Sequence, residues 1–402
     1  MKRILTIFAG LAILLAACNG EKTEGKGKSG GEAKGGKVYG GTLKISQGEN
    51  IQSIFPPSIV DVYTHVVASH VFETLVKFNP KDLSIAPSVA ESWSVDTSGT
   101  VYTFKIKKGI KFHDDVVFEG KERELTAKDV KFSFEMLCTQ HEQNIMFSSI
   151  FKDRLVGANK YYEESADGKP TFDLEGLKVI DDYTVQLILT RPFSPFIYLM
   201  TSPALSIFPK EAFDKYGVDN TVGSGSFMVA PGTKINDENK VLLVKNPNFH
   251  QFDSIGNQLP FIDSIEVLII DSKKAELEEF EKGNLHIVNG LPAESIRKIV
   301  EQQIANFQNK PPKFLLDRSP TMSTEYYEFN INADGLKDKR IRQAINYAID
   351  RNKIIDKVLK GEAYGPSENG ICPSTFKGYD ISKINGYSYD LEKAKKLMAE
   401  AG

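Results

Sequence analysis

The sequence predicts a mixed α/β protein with more than one lobe, and three observations carry the prediction. Apolar residues alternate with polar ones in short runs, as at Tyr102, Phe104 and Ile106, and elsewhere recur at helical spacing, as at Ile341, Ala344, Ile345 and Ala348. The two kinds of segment are interleaved, without the strict alternation of a simple doubly wound sheet. Beyond residue 40 about 360 residues remain, more than one core usually holds.

The chain opens MKRILTIFAGLAILLAACNG. Lys2 and Arg3 precede an apolar stretch from Ile4 to Leu15, about 12 residues, where a bilayer span needs about 20. The stretch matches the hydrophobic region of a secretory signal, with Ala16 and Ala17 before the cut. Leu15-Ala16-Ala17-Cys18 resembles the bacterial lipobox, which implies a diacylglycerol on the Cys18 sulfur and cleavage just before it. The alternative is an ordinary signal peptide that contains a cysteine. Residues 1–17 are expected to be a lipoprotein signal peptide and 18–40 a flexible tether. Its Gly, Lys, Glu and Ser residues bury too little apolar surface to fold, and it reaches roughly 25 Å by the square-root law. Gly27-Lys28-Ser29 is not a phosphate loop, because Lys22 stands where the first glycine is required.

Thr42 to Ser46 alternates as a short strand. A helix is expected from Asp61 to Phe78, with Val67, Val71 and Leu75 on one stripe and Asp61 or Thr64 as its cap. Ser98-Gly99 marks a turn between a strand at 91–95 and one at 102–106. Thr126 and Asp129 have capping-box spacing ahead of Val130, Phe134 and Leu137. Residues 116–124 read as an extended loop and 178–190 as a hairpin turning at Asp181-Asp182. Residues 241–245 and 265–270 read as buried strands, and 275–282 as a short acidic helix with a solvated face. Asp350 is expected to cap a helix running to Lys360, closed by Gly361, and Asp390 one from Leu391 to Ala401.

Composition excludes some functions. The net charge is −3 and the tether holds the one basic block, so nucleic-acid binding has no electrostatic support. After Cys18 only Cys138 and Cys372 remain, without framework spacing. The histidines lack metal spacing: His141-Glu142 begins a zinc-protease motif that fails at Ile145. Gly223-Ser224-Gly225-Ser226 has the wrong order for a nucleophile elbow. No catalytic residue, metal site or cofactor is predicted.

AESWSVDTSGTVYTFKIKKGIKFHDD, residues 90–115, resembles the signature of the family 5 extracellular solute-binding proteins, the peptide and nickel receptors of ABC importers. The resemblance continues in family order through LTAKDVKFSFEML, Val222 to Phe227, VKNPNF, LPFIDSIEV, YYEFNIN, DKRIRQAINYAIDRNKIIDKVLKG and YDLEKAKKLMAEAG. Ser226 stands where the family usually has proline, which loosens one backbone constraint. The resemblance implies a two-lobed, type II-like periplasmic-binding-protein fold. The first lobe would cover 41–270, with a small subdomain at about 80–200, and the second lobe 271–402. Since relatives run longer, the second lobe is expected to be incomplete, and the chain alone is expected not to bind peptides tightly.

The function so implied is capture of di- to oligopeptides by hinge closure and delivery to a membrane permease, with no bond broken. Nickel-chelate or oligosaccharide binding is the alternative within the family. A secreted hydrolase or a non-functional fragment is the alternative outside it. The expected partners are a peptide, an ABC permease and a lipid anchor, with the protein monomeric and lipid-anchored to a membrane of the cell envelope, on its periplasmic or extracytoplasmic face. By the resemblance, ligand contacts fall at Asp61, Tyr63 and Thr64, at a strand carrying Tyr326, Tyr327 and Asn330, and at Glu368 and Asn369. Trp93 is expected to pack in a core rather than to touch ligand.

Overall fold

The computed structural model describes residues 31–402 except 169, 292–300, 302–303, 318–322, 362 and 375–378. The chain divides into two compact units, one ending at Val288 and one from Asn289 to Gly402. The signal peptide, Cys18 and the first part of the tether lie outside the described residues. No described helix is long and apolar enough to cross a membrane.

The first unit holds two cores. One is built on a sheet of β1 (Thr42–Gln47) with three strands from far along the chain. Two short strands, β2 (Val76–Phe78) and β3 (Ile85–Pro87), pair antiparallel and lead into the other core. That core is built on β4 (Ala90–Val95), β5 (Val101–Ile106), β6 (Leu177–Asp181) and β7 (Thr184–Ile188), all antiparallel in the order β4-β5-β7-β6. The chain then returns to the first sheet as β8 (Phe227–Val229), β9 (Lys240–Lys245) and β10 (Ser264–Ile269), in the order β1-β10-β9-β8 with β1 parallel to β10.

The period-2 pattern in β5 does what it predicts: Tyr102, Phe104 and Ile106 are buried and the residues between them face outward or sit at the boundary. The Ser98-Gly99 turn is held by Asp96, whose carboxylate accepts from Thr100 N at 3.0 Å and Val101 N at 2.9 Å. This is an Asx-type turn, in which the side chain replaces a backbone acceptor. Helix α1 spans Val62–Val71 and helix α2 Ala127–Leu137. The capping box of α2 is complete, with Thr126 N donating to Asp129 Oδ2 at 2.8 Å. Phe134 then packs on Phe151, ring centroids 5.7 Å apart, with both side chains fully buried. Trp93 is half-buried against this second core.

Three expectations about the helices need correction. The first helix stops at Val71 instead of Phe78, because Thr74 to Val76 turns into an extended segment that pairs with β3. Its apolar stripe therefore serves two cores: Val71 and Phe72 enter the first, Leu75 and Val76 the second. The acidic helix, α3 (Lys273–Glu281), does not present only a solvated face. Glu276 is buried, accepting from Ser46 Oγ at 2.7 Å and facing Lys273 Nζ at 2.8 Å. The helix after Asp350 keeps an α conformation only over Arg351–Lys353 and widens into a π turn over Ile354–Val358.

The tether also ends earlier than residue 40. Residues 31–40 lie against the loop that follows β9: Lys34 N donates to Asn257 Oδ1 at 2.8 Å, Lys37 pairs with Asp253 at 2.8 Å, and Tyr39 packs on Phe261 at 5.3 Å. Composition missed this because Val38 and Tyr39 are its only large apolar side chains there, and most of the hold is polar.

The second unit, Asn289 to Gly402, holds two longer helices among its described residues. Helix α4 (Lys339–Ala348) is capped by Asp338, and α5 (Leu391–Ala401) by Asp390, whose carboxylate accepts from Lys393 N at 2.9 Å. Their seam is small: Ala344 and Ala394 are buried, and Tyr347 meets Tyr387 edge-on at 5.1 Å. Cys138 and Cys372 are free thiols, Cys138 buried with its ionisation pushed well up by burial.

Candidate functional site

The candidates of the first unit gather at the start of α1. Asp61 is the N-cap, accepting from Thr64 N at 2.7 Å, so its carboxylate has a structural task. Thr64 is buried and faces the core side. Tyr63 and Val62 are exposed, and the Tyr63 phenol lies over the end of β1, where a Cβ on Gly48 would sit 3.7 Å from Tyr63 Oη. Of the three candidates, Tyr63 has the freedom to stack on or hydrogen-bond a ligand.

What holds α1 in place is a buried polar network at its other end. Gly225 N donates to Val71 O at 2.9 Å, which closes the C-terminal turn of the helix. The approach is so close that a Cβ on Gly225 would lie 2.2 Å from His70 O, and one on Gly223 2.1 Å from Val71 O. Glycine is required at both positions for space. Between them Ser224, fully buried, donates to Glu73 Oε2 at 3.0 Å. His250 Nε2 lies 2.9 Å from the same oxygen, and Gln251 Nε2 donates to Glu73 Oε1 at 3.2 Å.

His113 locks the loop from the far side. Gly223 N donates to its Nδ1 at 3.2 Å, so Nε2 carries the hydrogen and donates to Gly225 O at 3.0 Å. The His113 backbone N–H donates to Gly223 O at 2.7 Å. Burial drives the imidazole pKa down to about 4, against weaker upward pulls from the Gly225 bond and the Glu73 charge. On α1 itself, burial lowers His65, and burial followed by the His65 charge lowers His70.

Serine, glutamate and histidine meet here, but not as a nucleophile–base pair. Ser224 and His250 both contact Glu73, so the acid sits between them, whereas a hydrolase needs the histidine on the serine. Ser224 is 0% exposed, so substrate has no path to it. Among the described residues no cluster of three or more His, Cys, Asp or Glu side chains could hold a metal ion. The geometry predicts the result of a glycine substitution. Gly225→Ala is expected to cost about 3 kcal/mol through overpacking against backbone, while Gly48→Ala, in ordinary contact distance, stays near neutral; chemical denaturation of both variants checks this.

In the second unit Tyr326 and Tyr327 are exposed, and Tyr327 is 85% accessible. They do not lie on a strand: residues 323–330 form no ladder among the described residues. Asn330 is folded on its own turn, accepting from Asn332 N at 3.0 Å. Glu368 accepts from Ser388 Oγ at 2.7 Å, and Asn369 Nδ2 donates to Ile384 O at 2.9 Å, so both tie their loop to residues 384–388. The structure thus brings Asp61, Tyr63 and Thr64 together, and Glu368 with Asn369. A surface hollow of about 330 Å³ lined by Gln140, Asn144, Phe147, Lys152, Tyr162 and Glu163 contains none of the candidates. Sequence reasoning missed Glu73, His113 and His250; the one available signal was Glu73, an acid inside the apolar run Val71-Phe72-Glu73-Thr74-Leu75-Val76.

Comparison with known proteins agrees with this architecture. The dipeptide-binding protein of Escherichia coli is 30% identical over 358 residues, covering 87% of this chain and 61% of its own. The heme-binding protein A of Haemophilus influenzae is 28% identical over 416 residues, covering all of this chain and 69% of its own. The periplasmic binding protein DppA of Helicobacter pylori, solved in complex with the peptide STSA, superposes with a TM-score of 0.71 at 26% identity, covering 90% of this chain and 66% of that one. The chain spans about three fifths of the dipeptide-binding relative. Residues 84–402 match the profile described as bacterial extracellular solute-binding proteins, family 5 Middle. Carrying that match over most of its length, and the fold of a periplasmic binding protein with it, the chain belongs to the bacterial extracellular solute-binding proteins of family 5.

Proposed function

We propose that the whole protein is the solute-capturing lipoprotein of an ABC importer, taking up di- to oligopeptides by hinge closure and handing them to a membrane permease. The observation that carries the reading is the H. pylori structure: its bound ligand is a peptide, and this chain shares its fold and is 26% identical to it where the two align. The dipeptide-binding relative supports the same ligand class. An extended peptide is held through its main chain and its charged ends, which needs exposed hydrogen-bonding and stacking groups but no nucleophile. Tyr63, Tyr326 and Tyr327 are such groups, and Glu368 and Asn369 are the further contacts of this reading. Asp61 and Thr64 serve it by capping and fixing the helix that carries Tyr63. The protein is a receptor, not an enzyme, and works as a monomer. Cys18 bears the lipid that keeps it at the outer face of the membrane.

Calorimetric titration of the complete gene product with mixed di- to pentapeptides tests the proposal. Binding at micromolar Kd or tighter is expected, about −8 kcal/mol, and Tyr63→Ala is expected to weaken it roughly tenfold, about 1.4 kcal/mol. Absence of heat with peptides, together with binding of a nickel chelate, an oligosaccharide or heme, would overturn the peptide reading.

A further inference from the structure

Residues 31–40 and the loop they lie on form a surface with a composition the fold does not account for. The loop runs from Gln251 to Gln258 and is closed by its own hydrogen bonds. Asp253 accepts from Ile255 N at 3.0 Å and from Asn257 N at 2.8 Å, and Asp253 N donates to Asn257 O at 2.8 Å. From this tight turn Phe252 projects 60% exposed; Ile255 lies with its Cδ1 against Gly35 of the docked segment and is still 45% exposed, and Val38 of that segment is 63% exposed. Large apolar side chains on an ordered loop, away from both cores, mark a contact surface.

Charge narrows the choice of partner. The loop's own acid, Asp253, is compensated by Lys37 at 2.8 Å. Lys34 adds a positive charge beside the tip, where a Cβ on Gly256 would lie 3.4 Å from its Nζ, and Lys77 donates to Gln251 Oε1 at 3.2 Å; together they outweigh Glu32, the exposed acid of the docked segment. An apolar tip with a cationic margin fits an anionic lipid surface, where aromatic and aliphatic side chains enter the headgroup region and lysines stay in it. Position narrows it further. Gly31 opens the segment docked on this loop, and Cys18 is 13 residues before it, so the Cys18 sulfur lies within about 45 Å of this face even at full extension.

We propose that the Gln251–Gln258 loop, with residues 31–40 docked on it, is the face this protein turns to the bilayer, with Phe252 and Ile255 entering the headgroup region. The inference rests on the lipid anchor at Cys18 proposed above. It assigns a second, non-covalent contact that fixes orientation where the anchor alone fixes only distance.

The test uses the full lipidated protein in vesicles of phosphatidylethanolamine and phosphatidylglycerol. Trp93→Phe removes the single tryptophan and Phe252→Trp places an indole on the loop. The expected result is a blue-shifted emission, quenched when the lipids carry bromine near the headgroup end of their chains and relieved by Ile255→Asp. Tyr198→Trp in the same background, an exposed position beside the other core, is expected to stay unquenched. Mass analysis of Cys18 and vesicle flotation are read on the same samples. A lipidated, floating protein whose loop indole is unquenched, or quenched no more than the one introduced at Tyr198, overturns the membrane face and leaves the anchor standing. A Cys18 without diacylglycerol removes both.

Discussion

Replacing Glu73 with alanine is expected to cost roughly 3–5 kcal/mol, the scale for removing one partner from a buried charged network. Ser224, His250 and Gln251 all direct polar atoms at the Glu73 carboxylate at 3.2 Å or less, and its side chain is 7% exposed. Alanine leaves those groups in a space too dry to hydrate them freely, and an unpaired buried donor costs more than a made bond contributes. Glu73→Gln keeps the shape and one acceptor, and the Ser224 hydroxyl can turn to accept from the new amide. Its cost is expected to be less than half that of alanine. Chemical denaturation of both variants decides: equal losses would show that the network is incidental and that volume alone matters.

Acidification is expected to weaken the fold through His113, with a definite sign. Above pH 6.5 the imidazole is neutral in both folded and unfolded chains and contributes no pH dependence. Between 6.5 and about 4 the unfolded chain takes up a proton that the folded one refuses, so stability falls as pH falls. Below about 4 the folded state is protonated as well and the loss levels off, at about 3 kcal/mol in all. Geometry gives the same sign, since a hydrogen on Nδ1 would point at the Gly223 N–H that now donates to it. His113→Gln shifts the absolute stability but should lack this component. Denaturation midpoints at pH 7 and pH 4.5 for both proteins read it, and identical pH losses would count against His113 as the source.

Much of the fold was legible because it obeys local rules. The alternation at Tyr102 to Ile106, the capping box at Thr126, the Asp181-Asp182 turn and the Asp390 cap all depend on residues within a few positions of one another. The family was legible because several motifs stand in order along the chain. What was not legible depends on contacts across long separations. The helix at Asp61 was read seven residues too long because its apolar stripe continues unbroken into β2, and only the arrival of β3 and of the loop at Gly223, far along the chain, ends it. The network on Glu73 gathers residues 88, 224, 250 and 251, a set without sequence spacing to betray it. The docked segment at 31–40 is similar, its partners being more than two hundred positions away. The candidate site was legible only by resemblance. Asp61 was chosen as cap or contact and is the cap, and Tyr326 and Tyr327 were expected on a strand that the described residues do not form.

The passage from Val71 to Val76 has a further consequence for cooperativity. Within six residues the chain leaves one core and enters the other, and at that crossing it is bonded to a loop that itself bridges the two. Ser133 reinforces the junction, accepting from Phe208 N at 3.0 Å from the neighbouring core. Neither core can open at this seam without stripping partners from the other, so the two behave as one unit in local opening. Amide hydrogens on either side of the crossing then share their protection from exchange.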